Sequence, residues 1–171
     1  MNSITGFSPI ENKQAEVLIL GSMPSEMSLQ KQQYYGHQRN AFWPIMQALF
    51  NEDSEMSYSE RKKLLIQNNI AVWDVLQSCH REGSLDAAIK MDTIKVNDFC
   101  AFFSMHTQLK LVCFNGAKAE SLYNKYVLPP VKKDFQSLCY IRLPSTSPAY
   151  AAMSLQQKKV IWSNSLKDYR Y

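Results

Sequence analysis

The chain has 171 residues, 46% of them hydrophobic and 20% charged, with a formal net charge of +4 at neutral pH. That length suits one domain with a sizeable core, and that composition excludes a disordered chain. No apolar run is long enough to cross a bilayer, and the mild positive charge permits a nucleic-acid partner without demanding one.

The opening segment "MNSITGFSPIENKQAE" lacks both the basic start and the apolar centre of a signal peptide, so a cytoplasmic protein is expected. The first strand is read at "EVLIL" (16–20), a continuous apolar run. The turn "GSMPS" (21–25) follows, bent by Gly21 and Pro24, with amides able to hold a water or a phosphate. Next comes "YYGHQRNAFWPIM" (34–46), crowded with aromatic and hydrogen-bonding side chains. Tyr35 is either a core aromatic or a flat face for a planar ligand. His37 is either a structural hydrogen-bonder or a catalyst, and Arg39 either solvated or a phosphate contact. Asn40 stands at an N-cap position with Pro44 in the first turn; its side chain either caps the helix or projects into a pocket. Phe42, Ile45, Met46, Leu49 and Phe50 share one face of that helix.

"NEDSEMSYSERKK" (51–63) reads as a polar connection into another helix. The second strand, "IAVWDV" (70–75), carries Asp74 near its end, placed to accept a ring N–H from a ligand or to cap a loop. "SCHREGSLD" (78–86) reads as a loop, with Ser84 and Asp86 starting a helix "SLDAAIK" (84–90). Val96, Phe99, Cys100 and Phe103 mark another helix face. The third strand is "LKLVCF" (109–114), followed by Asn115 and Gly116 turning into a helix over 117–126. Asn115 is either its N-cap or a ligand contact. The fourth strand is "LCYIRL" (138–143). "LPSTSPAYAAMS" (143–154) has no clear period, and its hydroxyls and amides suit phosphate oxygens. The pairs Lys132/Lys133 and Lys158/Lys159 would flank it or face solvent. Ser154 is the expected N-cap of a last helix running to about Asp168.

Alternating strands and helices imply an α/β protein, a three-layer α/β/α domain over 1–171 with a central four-stranded parallel sheet. Ligands bind such sheets beyond the carboxyl ends of the strands, where all four loops converge. The four cysteines form no C-x-x-C pair and are expected to be reduced. The three histidines lack metal-ligand spacing, and neither a P-loop nor G-x-G-x-x-G occurs, so no metal and no cofactor are expected.

"LILGSMPS", "YYGHQRNAFWPIM", "FNGAKA" (114–119) and "LPSTSPAYA" (143–151), in that order, resemble the uracil-DNA glycosylase superfamily. The likeness runs from about Val17 to Ser154 and is closest to the hypoxanthine-DNA (deoxyinosine) glycosylase branch, with a wider likeness to mismatch-specific uracil-DNA glycosylases. It implies a monomeric enzyme whose partner is DNA and whose reaction removes a deaminated base flipped from the helix. Asn40 matches the important asparagine of the hypoxanthine branch, and Tyr35 the aromatic that stacks on the base. Met23 stands where the mismatch-specific branch has a water-positioning asparagine. Ser22, Met23, Asp74, His37 and Asn115 would surround the base. Ser145, Thr146, Ser147, Pro148, Ala149 and Tyr150 match the loop that enters the minor groove, with Tyr150 where the branch carries asparagine. With no lysine motif for Schiff-base chemistry, base removal without strand cleavage is expected. The alternatives are a uracil or broad deaminated-base glycosylase, and a non-catalytic nucleic-acid-binding domain on the same scaffold.

Overall fold

The computed structural model describes residues 3–167 and 169. Its elements are β1 (Ser3–Thr5), β2 (Val17–Gly21), α1 (Glu26–Lys31), α2 (Phe42–Leu49), α3 (Tyr58–Gln67), β3 (Ile70–Asp74), β4 (Leu76–His80), β5 (Lys95–Val96), α4 (Phe99–Met105), β6 (Leu111–Asn115), α5 (Ala117–Tyr126), α6 (Leu128–Asp134), β7 (Cys139–Leu143) and α7 (Leu155–Lys167), with 3-10 turns at Asp86–Ala88 and Met91–Thr93. Among the described residues no helix is long and apolar enough to cross a membrane.

The four strands expected from the sequence pair as a parallel sheet in the order β3-β2-β6-β7. Side chains alternate across a strand, so each buried strand feeds two cores. Leu18, Leu20, Val112 and Phe114 pack one face against Phe99, Phe102 and Phe103 of α4 and Leu122 and Tyr123 of α5. Val17, Ile19, Leu111 and Cys113 pack the other against Phe42, Ile45 and Met46 of α2 and Trp162 and Leu166 of α7. The result is the three-layer α/β/α arrangement. Because all four strands run the same way, Gly21, Asp74, Asn115 and Leu143 end on one rim, with Gly21 opposite Asp74 and Asn115 opposite Leu143.

A second sheet, antiparallel in the order β1-β4-β5, was not foreseen. Its central strand continues directly from β3. The amides of Val75 and Leu76 donate to the carbonyls of Gly21 and Ser22 (2.9 and 3.1 Å), so the chain stays tied to the rim before turning away. The first three residues of "SCHREGSLD" are therefore strand. The helix expected over 84–90 is only the short turn Asp86–Ala88, because Ser84 and Asp86 are engaged elsewhere. Val96 belongs to β5, and α4 begins at Phe99 under the cap of Asp98, whose Oδ1 accepts from Ala101 N at 2.9 Å. Ser154 caps α7 as expected, in a reciprocal pair with Gln157 (2.8 and 3.2 Å). α6 ends just before β7 begins, which puts Lys132 and Lys133 at the end of the sheet opposite the rim, not beside the 143–154 segment.

Candidate active site

At the rim the loops enclose a cavity of about 380 Å³, within the range of small-ligand sites. Its floor is where β2 and β3 end. Gly21 leaves room there for Asp74 and Tyr35: a methyl group at position 21 would lie 2.5 Å from Asp74 Oδ1 and 3.3 Å from Tyr35 Oη. Asp74 is 4% exposed, and its Oδ2 has no hydrogen-bond partner. Its backbone carbonyl is held by Asn97 Nδ2 at 2.8 Å. Burial pushes the Asp74 carboxyl up to about 7; the charge of Asp86 pushes the same way, and Arg81 opposes them.

Tyr35 sits at φ +54°, a left-handed conformation that costs a bulky residue about 1–2 kcal/mol. Packing overcomes that cost. The ring stacks on Phe42 with centroids 4.1 Å apart, and the residue borders the cavity. Its buried Oη also lacks a partner of good hydrogen-bond geometry; burial followed by the Asp74 charge raises the phenol's pKa, and the nearby Asn115 side chain opposes them.

Asn40 lies on the cavity wall and has divided its amide. The N-cap of α2 is Ala41 rather than Asn40; from one residue earlier the Asn40 Oδ1 accepts from Phe42 N at 2.9 Å and so still holds the first helical amide, while Nδ2 is bonded to no described residue. The two readings of Asn40 are thus compatible: the oxygen caps, and the NH2 remains as a donor. His37 is absent from the cavity wall. Its Nδ1 accepts from Arg39 N at 3.1 Å and its carbonyl from Asn40 N at 2.9 Å, so it shapes the turn that delivers Asn40.

Ser22 and Met23 line the cavity and are nearly buried. Ser22 Oγ donates to Asp86 Oδ1 at 2.6 Å, which is why Asp86 starts no helix. Ser84 Oγ accepts from Glu26 N at 2.9 Å and so holds the first residue of α1 instead. Asn115 does not cap α5; Gly116 occupies that position at φ +92°, where a methyl group would meet Ser145 Cβ at 3.0 Å. The Asn115 amide is paired with Thr146 instead, Nδ2 donating to Oγ1 at 2.8 Å and Oδ1 accepting from Thr146 N at 2.9 Å. Thr146 O in turn accepts from Ala41 N at 2.9 Å, joining this loop to the start of α2.

Within the loop, Ser145 Oγ and Ser147 Oγ accept from the amides of Ser147 and Ala149, both at 3.2 Å. Ser145, Thr146, Ser147, Ala149 and Tyr150 line the cavity, while Pro148 faces a neighbouring cleft. Tyr150 is 38% exposed at the mouth. Sequence reasoning missed Arg81, which is buried. Its Nε donates to Gly83 O at 2.9 Å and Nη2 to Pro24 O, bracing the "GSMPS" turn, while Nη1 has no partner. A lone arginine in "CHREG" carries no pattern that could have announced this. Among the described residues no group of His, Cys, Asp or Glu side chains could hold a metal ion.

The arrangement offers an acceptor at Asp74, a donor at Asn40 and a stacking ring at Tyr35 around a space of nucleobase scale. Comparison with known proteins agrees with that reading. The family model "Uracil DNA glycosylase superfamily" matches residues 8–165. A hypoxanthine DNA glycosylase from Methanosarcina acetivorans is 42% identical over 115 residues, 67% of this chain and 72% of that protein. Its namesake from Methanosarcina barkeri is 41% identical over the same shares. A solution NMR structure from Methanosarcina acetivorans, provisionally described as a uracil DNA glycosylase, superposes with a TM-score of 0.81. It is 33% identical and covers 99% of this chain and 100% of that one.

Proposed function

The chain belongs to the uracil DNA glycosylase superfamily and is a DNA glycosylase, and we propose that it removes hypoxanthine from deoxyinosine in DNA without cutting the strand, as a step of base excision repair. The observation that carries this reading is that Asp74, whose Oδ2 has no hydrogen-bond partner, and Asn40, whose NH2 is bonded to no described residue, line the same cavity. Hypoxanthine has the matching edge: N1–H donates, and O6 and N7 accept. Adenine lacks the N1 hydrogen and would set acceptor against acceptor. The two relatives named hypoxanthine DNA glycosylase support the same choice of base.

A glycosidic bond inside the stack is out of reach, so the nucleotide is extruded at a cost of a few kcal/mol, least for a mismatched base. Tyr35, packed on Phe42, receives the extruded ring on its remaining face; such stacking is worth about 1–3 kcal/mol. As the bond between C1′ and N9 breaks, its electron pair goes to the purine, and water adds to C1′, its surplus proton ending on the released base. Negative charge thus grows on the base. The Asn40 NH2 donates to a purine acceptor, and that bond strengthens as charge develops, which lowers the barrier rather than the ground state. A neutral amide whose oxygen is already engaged by Phe42 N is no general base. No lysine lines the cavity among the described residues, which supports base release without Schiff-base chemistry.

A uracil or broad deaminated-base activity is the second reading, because the N3–H of uracil would suit Asp74 equally. Duplexes carrying deoxyinosine, deoxyuridine or deoxyxanthosine, scored before and after alkali, decide between them. The expected result is alkali-dependent breaks, greatest at deoxyinosine. Breaks before alkali would contradict the monofunctional reading, greater activity at deoxyuridine would favour the second, and binding without turnover on all three would leave only a nucleic-acid-binding domain.

A further inference from the structure

A second cleft of about 410 Å³ adjoins the base cavity and shares Asn40 and Tyr150 with it. Gln38, Arg39 and Lys158 line it, and among the described residues no aspartate or glutamate does. Lys158 is 4% exposed yet forms no ion pair with any described residue. Its Nζ donates to Tyr150 O at 2.9 Å and Ser147 O at 3.4 Å, and lies 5.3 Å from the centroid of the Tyr150 ring. Burial lowers the pKa of this ammonium from its ordinary value. Buried charges are normally paired, whereas the other charged residue lining the cleft is Arg39, of the same sign. An anion held there would offset the desolvation of Lys158.

We infer that this cleft is a phosphate subsite, in which Arg39 and Lys158 hold a DNA backbone phosphate beside the flipped nucleotide. The inference rests on the glycosylase reading for the identity of the anion. A nucleotide whose base occupies the cavity must lead its backbone out past Asn40 and Tyr150, the two residues that border both spaces. A phosphodiester is therefore delivered to the cleft by the same event that fills the cavity. Lys158 then serves twice: its carbonyl contacts set the 147–150 backbone, and its charge faces the strand.

The test is the salt dependence of binding to a duplex carrying a non-hydrolysable abasic analogue, compared for the wild type, Arg39→Gln, Lys158→Gln, the double variant and Lys158→Arg. Each phosphate contact contributes about 0.9 to the slope of log K against log salt. Arg39→Gln and Lys158→Gln should each flatten the slope by about one, the double variant by about two, and Lys158→Arg should keep it. The Arg39 side chain makes no hydrogen bond or ion pair with the 147–150 loop, so that variant reads the subsite with the 147–150 backbone in place. Unchanged slopes in both glutamine variants, with binding retained, would overturn the subsite. So would saturation of the cleft by inorganic phosphate, lost in Arg39→Gln, with wild-type slopes on DNA in both glutamine variants. Flattened slopes in a protein that leaves deoxyinosine intact would sink the glycosylase reading while the subsite stands.

Discussion

On the floor of the cavity, Asp74 Oδ2 and Tyr35 Oη are buried without partners, and Tyr35 holds an unfavourable backbone conformation. On the loop side, Asn115, Thr146, Ser145 and Ser147 satisfy one another, and Lys158 closes the loop. A buried polar atom left unpaired costs about 1–3 kcal/mol, so two at one cavity ask for a partner that a ligand could supply. The contrast separates two kinds of residue that sequence motifs lump together. The floor is incomplete until a ligand supplies its partners, whereas the loop is a finished frame that fixes where the ligand sits. Substitutions of the groups offered to a ligand, Asp74 and Asn40, should change chemistry more than stability, and substitutions in the frame should do the reverse.

The strongest way to break that contrast is Asn40→Ala. It removes the free donor and should lower kcat on deoxyinosine by about 10²–10³-fold. It also removes the Phe42 cap, at about 1 kcal/mol of stability. Asn40→Asp keeps an oxygen for the cap and replaces the donor by an acceptor, so a folded but equally inactive protein would assign the loss to the donor. Full activity in folded Asn40→Ala would remove the residue from the chemistry.

Asp74→Asn comes next. If its carboxylate accepts N1–H as proposed, losing it should cost about 1–3 kcal/mol of transition-state binding, roughly fivefold to 150-fold in kcat/KM. The pH profile is more telling. With a carboxyl pushed up to about 7, wild-type activity should rise with pH through that value as the acceptor ionises, and Asp74→Asn should lack the rise. Stability moves the opposite way. The folded state keeps this proton up to about pH 7, whereas the unfolded chain releases it near the ordinary value of 3.8. The folded state therefore binds more protons across that window, and stability falls as pH climbs from about 4 to 7 before levelling off. Asp74→Asn should flatten that fall in Tm; an unchanged Tm profile would mean that the carboxyl titrates normally.

The smaller effects lie in the frame and at the orphaned phenol. Asn115→Ala strips Thr146 of two bonds and should lower stability by about 1–3 kcal/mol, or several degrees of Tm, with kcat falling less than in Asn40→Ala. Tyr35→Phe keeps the stacked ring and deletes an unpaired hydroxyl. It should raise stability by about 1 kcal/mol; a fall in Tm would show that Oη has a partner in the free protein.

The parallel sheet was legible because its strands are short, nearly continuous apolar runs, and the α2 face because its spacing is unambiguous. The second sheet was hidden for a physical reason. Its strands have three, five and two residues, and β1 meets β4 across most of the first half of the chain, so local pattern says little. The six residues of α1 are too few to show a period, and the two prolines at the start of α6 look like a break although the first turn tolerates them. At the site, the motifs pointed to Asn40 and Tyr35, and the strand ends pointed to the rim and Asp74. They could not show how each polar atom is spent: that the Asn40 oxygen caps while its nitrogen stays free, that Asn115 serves Thr146, or that Ser84 and Asp86 hold α1 and Ser22 rather than start a helix. Those assignments depend on contacts made across the fold.

The central claim is that the unpartnered floor is completed by the purine. A crystal structure of Asn40→Ala with a deoxyinosine duplex measures this directly. The expected result is the extruded base in the cavity, stacked on Tyr35, with its N1 within about 2.7–3.2 Å of Asp74 Oδ2. A flipped base lodged elsewhere, with Asp74 Oδ2 still unpaired, would contradict the account.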